Sequence, residues 1–176
     1  MTDAELTLRP MTRAEWDDWM PRQLAGYALL IANSGEMSQA DAWAKATADT
    51  ARSFHAGYAT PGQLVFRLTA AGQSVGWLWL AVPGPDRDRL MAWVYNIEVD
   101  QAFRGRGYGR AAMILAEGEA RSRGMTSLGL NVHGHNTVAR SLYDSLGYDV
   151  MALQMRKPLQ PGRAAGSRAR RRPDRE

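Results

Sequence analysis

The chain has 176 residues, enough for one domain with a substantial core. Hydrophobic residues make up 45% and charged residues 23%, a soluble balance; no apolar run approaches the roughly 20 residues of a membrane-spanning helix, and Met1–Glu5 shows no secretory pattern, so a cytoplasmic protein is expected. Cysteine is absent, which excludes disulfides, thiolate metal sites and cysteine nucleophiles, and the formal net charge is a modest +4.

Glu5 to Arg9 alternates apolar and polar residues and predicts a short first strand. Thr12 to about Asn33 predicts a helix, interrupted near Pro21. Ser38 with Asp41 three residues on predicts the start of a second helix, running to about Ala56 before Gly57. Trp16, Trp19, Tyr27, Leu30, Trp43 and Ala46 give these two helices their apolar faces. Gln63–Thr69 and Val75–Val82 are predicted strands joined by an Ala-Ala-Gly-Gln turn. After a charged loop, Leu90–Val99 is a third apolar run. Tyr108–Arg123 predicts a helix ending at Gly124, and Thr126–Val132 a strand. Asn136–Leu146 is a helix between an Asn cap and Gly147, and Tyr148–Pro158 a final strand. The order βααβββαβαβ implies an α/β (α+β) fold with antiparallel middle strands. Its one βαβ unit, Leu90–Val132, should be parallel and right-handed. The last segment, Leu159–Glu176, holds six arginines and two acids, so the chain before it balances 16 basic against 16 acidic side chains. With one aliphatic residue larger than alanine, it predicts a disordered basic tail at 159–176 behind a domain of residues 1–158. A solvated end is the plain reading. Contact with nucleic acid or another anionic surface is the alternative.

The most informative stretch is Arg104-Gly105-Arg106-Gly107-Tyr108-Gly109-Arg110, which follows a strand and opens a helix. A helix N-terminus offers unsatisfied N–H groups and the positive end of a dipole. Glycines let the backbone approach an anion closely, and three arginines add charge, so the natural ligand is a phosphate or pyrophosphate. The Gly-Lys-Ser/Thr end of a Walker loop is missing, and the spacing G-x-G-x-G is not that of a dinucleotide fold. Further on, Asn136, Ala139 and Tyr143 fall in one stripe of a helix, while Val138, Leu142 and Leu146 form another suited to the core.

These two motifs, R-x-x-G-x-G at the loop and N-x-x-A-x-x-x-Y-x-x-x-G-Y from Asn136 to Tyr148, resemble the signatures of the GNAT N-acetyltransferases. The resemblance implies a GNAT-like mixed sheet, mostly antiparallel, flanked by helices and splayed between its central parallel strands. It implies acetyl-CoA as co-substrate and no metal. Ile97, Glu98 and Val99 would then meet the pantetheine arm, Arg104 to Arg110 the pyrophosphate, and Asn136 and Ala139 the arm from the other side. An amine would attack the thioester directly, with Tyr143 protonating the thiolate and the Val99 N–H meeting the oxyanion. In the related enzymes that acetylate ribosomal-protein N-termini a glutamate stands five residues before the helix asparagine; here that place is Asn131. The base is therefore a chain of waters, Glu98 or His133, with His135 close by. The six tryptophans are candidates for an acceptor pocket as well as for the core. The acceptor is a small-molecule, peptide or protein amine; a membrane is not expected as partner, nucleic acid is disfavoured, and a homodimer is left open. A non-catalytic acyl-CoA-binding sensor is the reading from another class.

Overall fold

The computed structural model describes residues 5–84 and 90–157; the expected basic tail 159–176 and the boundary at 158 lie outside them. Chain order is β1 (Leu6–Pro10), α1 (Arg13–Asn33), α2 (Gln39–Ser53), β2 (Gln63–Ala70), β3 (Gln73–Ala81), β4 (Met91–Val99), α3 (Tyr108–Ser122), β5 (Ser127–Leu130) and α4 (Thr137–Ser145). The five strands form one sheet in the order β1-β2-β3-β4-β5. β1 to β4 are antiparallel neighbours, and β4 pairs with β5 in parallel.

Strand alternation divides the core in two. Phe66, Leu68, Leu78, Leu80 and Val94 turn to one face and pack against Ala112, Met113 and Ala116 of α3. Leu68, Leu78, Leu80 and Met113 are fully buried, each contributing about 1.5–3 kcal/mol by leaving water. Val65, Trp77 and Trp79 turn to the other face and meet Trp19 of α1 and Phe54. Ala42 and Ala46 of α2, both fully buried, let α1 and α2 pack closely around Ala28 and Ile31.

The structure departs from the sequence expectations in four places. α1 runs unbroken through Pro21. The single lost N–H bond is outweighed by a complete Thr12–Glu15 capping box upstream and by burial of Trp19 and Ile31. The expected final strand does not form: Tyr148–Lys157 joins no ladder among the described residues. Its Val150, Met151, Leu153 and Met155 are 63–93% exposed, and Arg156 Nη1 donates to the Ser34 carbonyl at 2.9 Å. An alternating pattern suits a strand, but only a neighbouring edge makes it one. Val138, assigned to the core stripe of α4, is 83% exposed, because α3 meets the helix farther along, through Leu142 and Leu146. Trp43 and Leu30 are likewise exposed rather than packed between the helices. Among the described residues, no helix is long and apolar enough to cross a membrane.

Candidate active site

β5 pairs with β4 only from Met91 to Val94. Beyond Val94 the strands part, so Tyr95–Val99 keeps β3 on one side and lacks a strand on the other. Asp100 N–H donates to the Val75 carbonyl at 2.9 Å. Backbone groups alternate in direction along a strand, so the N–H and C=O of Val99 point away from β3, into the gap. The Val99 carbonyl there accepts from Arg104 Nε at 2.9 Å. Glu98 pairs directly with Trp77, so both side chains stand on the α1 side of the sheet. Ile97 and Val99 pack on the opposite side, toward α3.

The gap opens onto a cleft of about 790 Å³ between the sheet, α1, α2 and the start of α4. Trp19, Trp77, Trp79, Trp93 and Tyr95 form its aromatic wall. Trp79 stacks on Tyr95 with ring centroids 4.6 Å apart, and Trp19 meets Trp77 edge-on at 5.1 Å. Trp93 can lie over β5 because its partner there is Gly129; a Cβ at Gly129 would sit 2.4 Å from the indole ring. Gln23 of α1 accepts from the Asn96 amide at 3.0 Å and fastens the helix to β4 beside the gap.

α4 closes the cleft on its other side with Asn136 and Tyr143. Asn136 is the N-cap of α4, its Oδ1 accepting from Ala139 N–H at 3.2 Å; its amide NH₂ is left to face outward. The Tyr143 ring is partly buried against Tyr148, with centroids 5.8 Å apart, and burial raises its phenol above the ordinary value. His133 also lines the cleft, stacked on His135 at 5.4 Å.

The N-cap of α3 is Gly107, which has φ +80° and provides no side-chain cap. The N–H groups of the first helical turn therefore point outward, and no acidic side chain stands in that turn to claim them. A Cβ at Gly105 or Gly107 would meet nothing within 4 Å, so the loop surface is open. Arg106, Gly107 and Tyr108 border a separate groove of about 380 Å³ beside Leu6 and Ile114. Arg110 is turned toward α4, donating to Ser145 Oγ.

Thus the structure gathers Ile97, Glu98, His133, Asn136 and Tyr143 at one cleft and places Arg106, Gly107 and Tyr108 at the neighbouring groove. Val99 edges the gap, Arg104 is tied to Val99, and Gly105, Gly109 and Arg110 complete the loop around the α3 start. Ala139 lies within the first turn of α4. Of the six tryptophans, Trp19, Trp77, Trp79 and Trp93 line the cleft and Trp16 and Trp43 do not. Sequence reasoning missed Gln23, Arg67 and Asn96. The available signal was Arg67 itself: it alternates with Phe66 and Leu68 on a strand whose two faces are both covered.

The sequence profile of the acetyltransferase (GNAT) family matches residues 13–148. The chain is 29% identical over 154 residues to the uncharacterized N-acetyltransferase YdgE of Bacillus subtilis, covering 87% of this chain and 98% of that one. The crystal structure of the acetyltransferase YycN from Bacillus subtilis aligns with a TM-score of 0.81 at 27% identity, covering 89% of this chain and 99% of that one. The fold is also similar to AAC(6')-Iy in complex with a CoA-linked bisubstrate analogue, at a TM-score of 0.56 and 15% identity, over 89% of this chain and 99% of that one. With a parallel pair that parts at Val94, a glycine loop opening α3 and a tyrosine facing the gap, the chain belongs to the GNAT acetyltransferase family and is an acyltransferase of the N-acetyltransferase type.

Proposed function

We propose that this chain transfers an acetyl group from acetyl-CoA to a primary amine by direct attack. One observation carries the reading: the inner edge of β4 lacks a strand from Tyr95 to Val99 and opens onto the cleft that Tyr143 lines. Amide groups of a pantetheine arm suit such an edge, which would accept them like an added strand at Ile97 and Val99. The open first turn of α3, with Arg104, Arg106 and Arg110 around it, suits a pyrophosphate. The coenzyme-linked ligand of AAC(6')-Iy, a neighbour in fold, supports the same choice. The outward NH₂ of Asn136 and the small side chain of Ala139 suit the arm from the α4 side.

When bound, acetyl-CoA supplies a thioester carbonyl open to attack by nitrogen. The residues of the chain serve that attack in three ways. Glu98, standing with Trp77 on the cleft side, takes the proton that the ammonium must lose. The Val99 N–H, directed into the gap, donates to the oxygen as negative charge develops on it. Tyr143, kept protonated by burial, gives its proton to the sulfur as the C–S bond breaks and the C–N bond forms. The nitrogen sheds a second proton as the amide forms, and water carries it to the Tyr143 phenolate; Glu98 releases the first to solvent, so amide, thiol and one free proton balance the ammonium and the thioester. His133 lies in the same cleft and serves as the comparison for Glu98.

Calorimetry with acetyl-CoA, followed by an amine screen that reads free coenzyme A, tests this reading. Because the chain has no cysteine, a thiol reagent reports the coenzyme without background. Saturable binding and amine-dependent thiol release are expected. Absence of binding at about 1 mM acetyl-CoA, a level that would detect even a weak site, would refute it.

A further inference from the structure

The far end of the cleft from the gap is bordered by Arg67 of β2, with Trp19 of α1 over the sheet. Trp19 is 2% exposed, lines the cleft, and its indole Nε1 has no partner among the described residues. Arg67 lines the same cleft, and its buried Nε is likewise without a hydrogen bond. Its nearest carboxylate, Glu15, stands 3.6 Å away and is engaged by Arg9, the Thr12 N–H and the Thr12 hydroxyl. Both nitrogens are enclosed by protein, as is that of Trp16, so what the cleft offers a ligand is the outer part of the Arg67 side chain, which is 21% exposed.

The place of Arg67 on the sheet defines the ligand. Arg67 pairs with Trp77, and Trp77 pairs with Glu98, so the three stand in one row across β2, β3 and β4 on the same face. With strands about 4.8 Å apart, the row spans about 10 Å between its outer backbones. It has a carboxylate at the gap, a flat apolar surface in the middle, and a guanidinium at the far end. Asp100, two residues after Glu98, adds acid to the cleft. Arg22 adds a cation from α1. Asp49, the remaining carboxylate lining the cleft, is held by Lys45, Arg52 and the Tyr27 hydroxyl.

We propose that the acceptor is an amino carboxylate: its amine held toward Glu98, its apolar body on Trp77, and its carboxylate bound by the Arg67 guanidinium. The amine end rests on the acetyl-transfer reading, whereas the carboxylate end rests on the place of Arg67 in the row. An extended polycation would set positive charge against Arg67. An ω-amino acid or a short peptide, whose charged ends lie apart, matches the row.

The test is calorimetric and needs no turnover. The full chain, saturated with coenzyme A, is titrated with paired probes: ε-aminocaproate against hexylamine, and glycyl-leucine against its decarboxylated amide. At least one carboxylate is expected to bind about ten-fold or more tightly than its partner, a gap of about 1.4 kcal/mol. In Arg67→Met that preference should vanish. In Arg67→Lys, which keeps the charge but not the planar fork, part of it should remain. Coenzyme affinity measured on each variant reports whether it is folded. Equal affinity within every pair would overturn the proposal, as would binding of no probe by a chain that binds coenzyme, or a preference that survives Arg67→Met. A carboxylate preference without acetyl transfer would uphold the pocket and count against the transfer reading alone.

Discussion

In the proposed reaction, Tyr143 and Glu98 divide the proton chemistry between opposite walls of one cleft. Tyr143→Phe should lower kcat by about 100-fold or more while leaving acetyl-CoA affinity within two- to three-fold, about the loss of one general acid. Burial raises the phenol, so its protonated form persists through neutral pH and any loss of rate from its ionisation falls above its ordinary value of about 10. Steady-state rates across pH in the wild type and Tyr143→Phe check both points. Glu98→Gln should reduce kcat by about ten-fold or more and His133→Ala by much less, since Glu98 shares its face with Trp77. A larger effect at His133 would reverse that assignment, and survival of both variants would return the task to water. Tyr143 and the glycine loop are legible in the sequence because each sits at fixed spacing within one segment. Arg67 is not, since it comes to line the cleft only after α1 is laid across β2 and β3. The face of Glu98 is equally invisible, being set by its pairing with Trp77.

At the level of elements, short capping signals carry far. Thr12 and Glu15 satisfy each other's backbone at the start of α1, and Glu15 also holds Arg9 of β1. The Arg9 hydrogen bond, with help from Thr12, lowers the Glu15 carboxyl from 4.5 to about 2. A folded value below the unfolded one adds stability above about pH 4.5, and that stability is lost as pH falls toward 2. Replacing Glu15 with Gln should therefore lower the melting temperature at neutral pH and flatten its fall in acid. An unchanged acid slope would show that other carboxylates set it. The start of α3 behaves differently. Gly107→Val should weaken acetyl-CoA by at least about ten-fold, or 1.4 kcal/mol. It should also lower stability, because a branched residue at φ +80° is strained. Helix starts were readable for the same reason that these substitutions matter: a cap is a local bargain between neighbours in sequence. The strand expected at Tyr148–Pro158 was not, because pairing depends on an edge that no local pattern specifies.

Across the whole molecule, the sheet separates an aliphatic side packed on α3 from an aromatic side covered by α1 and α2. The antiparallel pairing of β2 with β3 and the single parallel pair were foreseeable from a hairpin turn and from the crossover rule. The point at which that pair parts was not read from the strands, since β4 continues for five residues past Val94 with no change in composition to mark it. Gly129→Ala tests how the two strands share the cleft. A Cβ there would displace the Trp93 ring, so acceptor affinity should fall more than coenzyme affinity, with about 1–3 kcal/mol of stability lost to overpacking. The segment after α4 has a chemical corollary. Met151 and Met155 are 93% and 90% exposed, whereas Met11 and Met113 are 2% and 0% exposed. Thioether oxidation follows access, so dilute peroxide should convert the first pair to sulfoxides, at about 16 Da each, well before the second. Peptide mapping after a short exposure would show the order, and the cleft chemistry should survive the first two additions, making the segment a sacrificial guard for the buried sulfurs.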